Sequence, residues 1–161
     1  MKQLVLFGFI LLTAHGYSQI LTVNPAFPTV NDVVTITYDA AEGNAALMNQ
    51  SQIYCHTGVI TSTSTSPTNW QYVQGAWGTA DLDVAMNYVG NNKHQITIDI
   101  DQFYGFPGNI TVLKLAFVFR TANGAIVGRE ADGSDIFYDV VQPNSGLQAQ
   151  IFNPNTDATL L

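Results

Sequence analysis

Three stretches of this chain alternate with a period of two: Val34-Thr-Ile-Thr-Tyr38, Ile96-Thr-Ile-Asp-Ile100 and Leu113-Lys-Leu-Ala-Phe-Val-Phe119. Successive side chains of a strand point to opposite faces, so this period describes strands with one buried face. Each stretch is rich in β-branched or aromatic residues, which fit a pleated surface. Turn chemistry separates them: Asn24-Pro25 and Pro28, Glu42-Gly43-Asn44, Gly90-Asn-Asn92, Phe106-Pro-Gly108 and Asn123-Gly124. Asn123-Gly124 predicts a hairpin between residues 113–120 and 125–129.

Strands are expected near residues 20–24, 33–39, 52–57, 70–74, 94–100, 112–120 and 135–141, with a weak eighth at 125–129. A short helix is expected only over Asp81–Val89, where Leu82, Ala85, Met86 and Val89 fall at spacings of three and four. The fold class that follows is all-β, an immunoglobulin-like antiparallel β-sandwich of about seven or eight strands. The Cys–Trp–Cys framework of antibody domains is absent, because Cys55 is the one cysteine. In an apolar strand pattern it reads as a small core hydrophobe.

At 161 residues and 47% hydrophobic composition the chain has room for one domain with a real core. Residues 1–18 read as a signal peptide. Lys2 precedes the apolar run Leu4–Leu12, and Gly16-Tyr17-Ser18 supplies the small residues of a cleavage site before Gln19. The run is too short to span a bilayer, and no later segment reaches the roughly 20 apolar residues a membrane helix needs. The expected product is secreted, free or associated with a cell surface. Residues 19–141 then form the folded domain. Residues 142–161 open on Gln-Pro-Asn-Ser-Gly and read as a linker and the start of a further module.

Without Lys2, four basic residues face twelve acidic ones, which makes nucleic acid and anionic membranes poor partners and leaves neutral polysaccharide unpenalised. The chemistry-bearing stretch is Ile53–Trp77, where Tyr54-Cys-His56-Thr-Gly58 leads through a Ser/Thr-rich run to Trp70, Tyr72 and Trp77. A flat ring offers an apolar plane to the C–H face of a sugar while neighbouring polar tips fix its hydroxyls. On a strand, Tyr54 and His56 share a face opposite Ile53 and Cys55, so both are expected to look outward. Trp70 and Tyr72 are likewise expected to share a face. Trp77, between Gly75 and Gly78, is expected on a bent loop. The carbohydrate-binding candidates are therefore Tyr54, His56, Trp70 and Trp77, and the run Thr61–Ser66 reads as a plain connection.

Catalysis is not expected. Glycoside hydrolysis needs two carboxylates held across a bond, one in an apolar setting, whereas Asp99 and Asp101 fall on the solvent face of an expected strand. Asp132-Gly-Ser-Asp135 reads as a turn, lacking the further carboxylates of a calcium loop. No nucleophile elbow, phosphate loop or zinc spacing occurs, and no cofactor or metal is implied.

Tyr54-Cys-His56-Thr-Gly58 followed by Trp70 and Trp77 resembles the aromatic-x-His-x-Gly and Trp pattern of starch-binding β-sandwich modules attached to secreted amylases. Leu115–Arg120, Asn123-Gly124 and Asp132–Tyr138 resemble their final strands. More broadly, Ile20–Val141 resembles the N-terminal immunoglobulin-like domain of secreted multidomain α-amylase family proteins. The resemblance implies a noncatalytic module of a starch-degrading system, binding α-glucan or serving an adjacent glycoside hydrolase domain. Ala125–Glu130 departs from the pattern, for the modules commonly carry a further Trp and Asp-Asn-Asn there. A spacer that orients a catalytic neighbour without touching sugar, and the N-terminal part of a secreted α-amylase, are the other readings.

Overall fold

The computed structural model describes residues 19–142 apart from Asn109. The expected signal peptide, and the expected linker and further module beyond Gln142, lie outside the described residues. Among the described residues nine antiparallel strands form: β1 (Leu21–Asn24), β2 (Val33–Asp39), β3 (Ile53–Thr61), β4 (Gln71–Gln74), β5 (Ala85–Gly90), β6 (Lys93–Asp99), β7 (Val112–Arg120), β8 (Val127–Gly128) and β9 (Ile136–Asp139). The first sheet runs β1-β2-β6-β5. The second has β3 and β7 at its centre, with β4 beside β3 and with β8 and β9 beside successive parts of β7. This is the strand arrangement of an immunoglobulin-like sandwich. Strand β5 joins the two sheets, since Ala85 and Met86 pair with Tyr54 and Ile53 before Asn87 and Tyr88 pair with β6. The result is one curled all-β structure.

The first sheet follows the period of its sequence. Val34, Ile36 and Tyr38 of β2 and Ile96 and Ile98 of β6 point inward, while Thr35, Thr37, Gln95 and Thr97 point outward. The second sheet supplies Ile53, Cys55, Leu115, Phe117 and Phe119 to the same core. Tyr38 and Phe119 stack at 3.9 Å with their planes 16° apart, which ties one sheet to the other. Cys55 lies within this core, and burial pushes its thiol up to about 12. The thiolate that nucleophiles and metal ligands require is thereby disfavoured.

Two local expectations are corrected. Residues 81–89 are not helical beyond one 3₁₀ turn at Leu82–Val84, capped by Asp81, whose side chain accepts from the Asp83 amide. Of the four apolar residues at helical spacing, Leu82 and Val89 are exposed, whereas Met86 is buried against β3. Pairing to two sheets outweighs a stripe that had no surface to cover. The strand expected to reach Ile100 instead stops at Asp99. Its carboxylate accepts from the Gln102 amide and starts a single helical turn, α1 (Ile100–Tyr104), closed by Gly105 at φ 65°. Ile100 and Tyr104 are thereby buried, and the Tyr104 hydroxyl meets the Thr57 hydroxyl at 2.7 Å.

Candidate functional site

The site lies on the outer face of the second sheet and begins with an irregularity between β3 and β4. Thr57 stands opposite Gln74 and Val59 opposite Gln71, so β4 carries one residue more than its partner. That extra residue reverses the alternation. Tyr72, at φ 52°, turns toward the core and meets Phe106 edge-on at 5.1 Å. Trp70 and Val73 line the outer groove instead. The expected shared face of Trp70 and Tyr72 is therefore not formed. Trp70 can lie against β3 because position 58 has no side chain. A Cβ there would meet the Gln71 carbonyl oxygen at 3.0 Å and Trp70 Cβ at 3.2 Å.

Four rings form a row across this face. Trp77 meets His56 at 5.3 Å with an interplanar angle of 88°; His56 stacks with Trp70 at 5.9 Å and 28°; Trp70 meets Phe137 of β9 at 6.5 Å and 76°. Two of the rings are fixed by backbone carbonyls. His56 Nδ1 donates to the Gly75 carbonyl at 2.6 Å, leaving Nε2 as the other polar atom of the ring. Trp70 Nε1 donates to the Pro67 carbonyl at 3.1 Å. Trp77 is half exposed, at 49%. Beside the row opens a groove of about 340 Å³ lined by His56, Trp70, Val73 and Trp77 together with Thr68 and the Arg129–Asp135 ion pair.

Tyr54 does not join this surface. It shares the outward face of β3 with His56, as alternation requires, yet it is only 8% exposed. Its cross-strand partner Arg120 explains why. Arg120 is fully buried, and its guanidinium lies 5.6 Å from the Tyr54 ring and 5.8 Å from the Trp77 ring. It donates to the carbonyls of Ala76 (2.7 Å), Thr79 (2.9 Å), Ala122 (3.1 Å) and Thr121 (3.2 Å). One cation therefore holds the loop carrying Trp77 and the turn after β7, and that roof covers Tyr54. Gly124, at φ 70° in the expected β7–β8 hairpin, lets Trp77 lie close, since a Cβ there would approach Trp77 Nε1 to 2.6 Å.

Asp132–Asp135 forms the expected turn, in which the Gly133 amide donates to the Glu130 carbonyl at 2.9 Å and the Ser134 amide to Asp132 at 2.9 Å. Donation from Ser134, side chain first and then backbone, holds the Asp132 carboxyl below the usual carboxylate range. The turn's other acid, Asp135, faces the groove and pairs with Arg129. Sequence reasoning did not find Phe137, Val73, Arg120 or this ion pair. A signal was present in Leu115–Phe119. Its intervening positions, Ala116 and Val118, are apolar too, as in strands covered on both faces.

The matched region of a family model begins with β1 and ends in β8, at residues 21–127. The chain belongs to the family described as Domain of unknown function (DUF8578). The span covered by this family contains His56, Trp70, Trp77 and Arg120, whereas Arg129, Asp135 and Phe137 follow it. No curated protein matches the chain.

Proposed function

We propose that this domain is a noncatalytic module that binds a neutral polysaccharide, an α-glucan, in the groove beside Trp77, His56 and Trp70. The observation that carries the reading is the row itself: stacked and edge-on rings, one of them half exposed, along an open groove that polar groups also line. Rings supply apolar planes for sugar C–H faces, and Thr68, Arg129 and Asp135 supply hydrogen-bonding partners for hydroxyls. The choice of an α-glucan among neutral polysaccharides follows the resemblance of Tyr54–Gly58, Trp70 and Trp77 to starch-binding modules. The carbonyl bonds of His56 and Trp70 fix these rings before any ligand arrives, so little ordering is lost on binding. A role within a secreted starch-degrading system follows from the same reading.

The test is tryptophan fluorescence of the full chain titrated with maltoheptaose. Saturable quenching or a blue shift at or below ~1 mM sugar is expected, with loss in Trp77→Ala while far-ultraviolet circular dichroism is unchanged. A flat titration of the wild-type chain would remove the glycan reading and leave a structural module that orients a catalytic neighbour.

A further inference from the structure

The groove does not end at Trp70. A second depression of about 260 Å³ shares Thr68, Arg129 and Asp135 with it and adds Pro67 and Phe137. A third, of about 450 Å³, shares Pro67 and Phe137 with the second and reaches Ile60 and Leu113. The three make one trough along the outer face of the second sheet. Its direction is that of the strands. His56 and Ile60 lie four residues apart on β3 and pair with Val118 and Lys114 of β7, a separation of about 13 Å at ordinary strand rise. Between them lie Gly58 and its cross-strand partner Ala116, the smallest residues of the face.

The far end combines apolar surface and hydroxyls. Leu113 is exposed at 41%, and the wall opposite is the segment 61–66. This segment is shaped by short side-chain bonds, Ser64 Oγ accepting from the Thr61 amide at 3.1 Å and the Thr61 and Thr63 hydroxyls meeting at 2.9 Å. The charges along the trough are paired, Arg129 with Asp135 and Lys114 with Asp139 at 2.6 Å. A neutral chain therefore meets no uncompensated charge there. The Phe137 ring, the aliphatic side chains of Ile60 and Leu113, the hydroxyls and the paired charges extend the mixed apolar and polar chemistry of the Trp77 end.

Resting on the glycan reading above, we propose that Ile60, Leu113 and Phe137 form a distal subsite. It takes the continuation of the same polysaccharide chain, so the module selects long oligosaccharides over short ones. The experiment is calorimetric titration of the full chain with maltotriose and maltoheptaose, in wild type, Leu113→Asp and Ile60→Thr. Maltoheptaose binds at least about tenfold tighter than maltotriose to the wild type. Either substitution lowers that ratio toward one while leaving the maltotriose affinity and the thermal midpoint in place. Trp77→Ala weakens both sugars together. If wild type binds both sugars equally, or if both distal variants keep the full ratio, the distal subsite is overturned and the groove at Trp77 stands. If wild type binds neither sugar, the glycan reading and the subsite fall together.

Discussion

The two sheets of this sandwich present opposite outer faces. That of β1-β2-β6-β5 carries a polar ladder across β2 and β6, with the Thr35 and Thr97 hydroxyls 3.0 Å apart and Gln95 Nε2 donating to the Thr37 hydroxyl at 2.9 Å, and leaves Val33, Tyr88 and Val89 open to solvent without a roof. Both hydrogen-bonded pairs are direct cross-strand neighbours of β2 and β6. On β3 and β7 the outer face is covered: the outward-facing residues of β7, Ala116, Val118 and Arg120, are buried as fully as the core-facing ones between them. What covers them is the segment carrying Trp70 and Trp77, held by a buried cation. A sheet face that water could have satisfied needs no roof. One that is apolar and roofed by aromatics on loops is the surface on which the proposed binding site rests.

The strongest way to break this contrast is to remove the cation that holds the roof. Arg120→Met leaves the carbonyls of Ala76, Thr79, Thr121 and Ala122 without their donor. The expected loss is ~3 kcal/mol in urea unfolding, with the Trp77 emission shifted to the red. Filling the gap under Trp70 comes next. Gly58→Val drives a side chain into Gln71, Trp70 and Val73. It should cost about 1–3 kcal/mol and weaken maltoheptaose binding, whereas an apolar substitution outside the covered face would not affect binding.

The first sheet carries a different vulnerability. His94 of β6 is fully buried, its ring 5.1 Å from Tyr88 and its ring nitrogens without a well-formed hydrogen bond, although the nearby Gln50 backbone partly favours its charged form. Burial holds its pKa below the ordinary imidazole value. The unfolded chain takes up a proton as pH falls below about 6.5, and the folded protein resists doing so until the lower folded pKa is reached. Stability is therefore independent of this group above that pH and declines below it. Chemical unfolding between pH 7.5 and 5.5 checks the sign, and His94→Phe should flatten the decline if the histidine is its source. The smallest effect belongs to the polar ladder. Thr35→Ala and Thr97→Ala should each change stability by less than about 1 kcal/mol, with sugar binding unchanged; a large loss of binding there would show that the contrast between the faces had been drawn wrongly.

The two faces were unequally legible. Val34–Tyr38 and Ile96–Asp99 were readable because one side of each strand meets water, so composition and orientation coincide. Residues 81–89 suggest a helix in sequence because the strand within them, which passes from one sheet to the other, has no single face to declare. Among the site residues, His56, Trp70 and Trp77 could be picked out as rings near polar groups, and the structure places them in one row. Tyr54 could not be distinguished from them, since what buries it is an arginine distant in sequence. Phe137 is likewise far away along the chain and reaches the row only through the pairing of β9 with β7.

Side-chain alternation and local turn chemistry suffice for the all-β class, most of the strands and the Asn123-Gly124 hairpin. The direction in which Trp70 points, the cover over Tyr54 and the single row of Trp77, His56, Trp70 and Phe137 arise on folding. They depend on one extra residue in the pairing of β4 with β3 and on the reach of Arg120 between two loops. Both are long-range contacts to which the residues involved give no local signature.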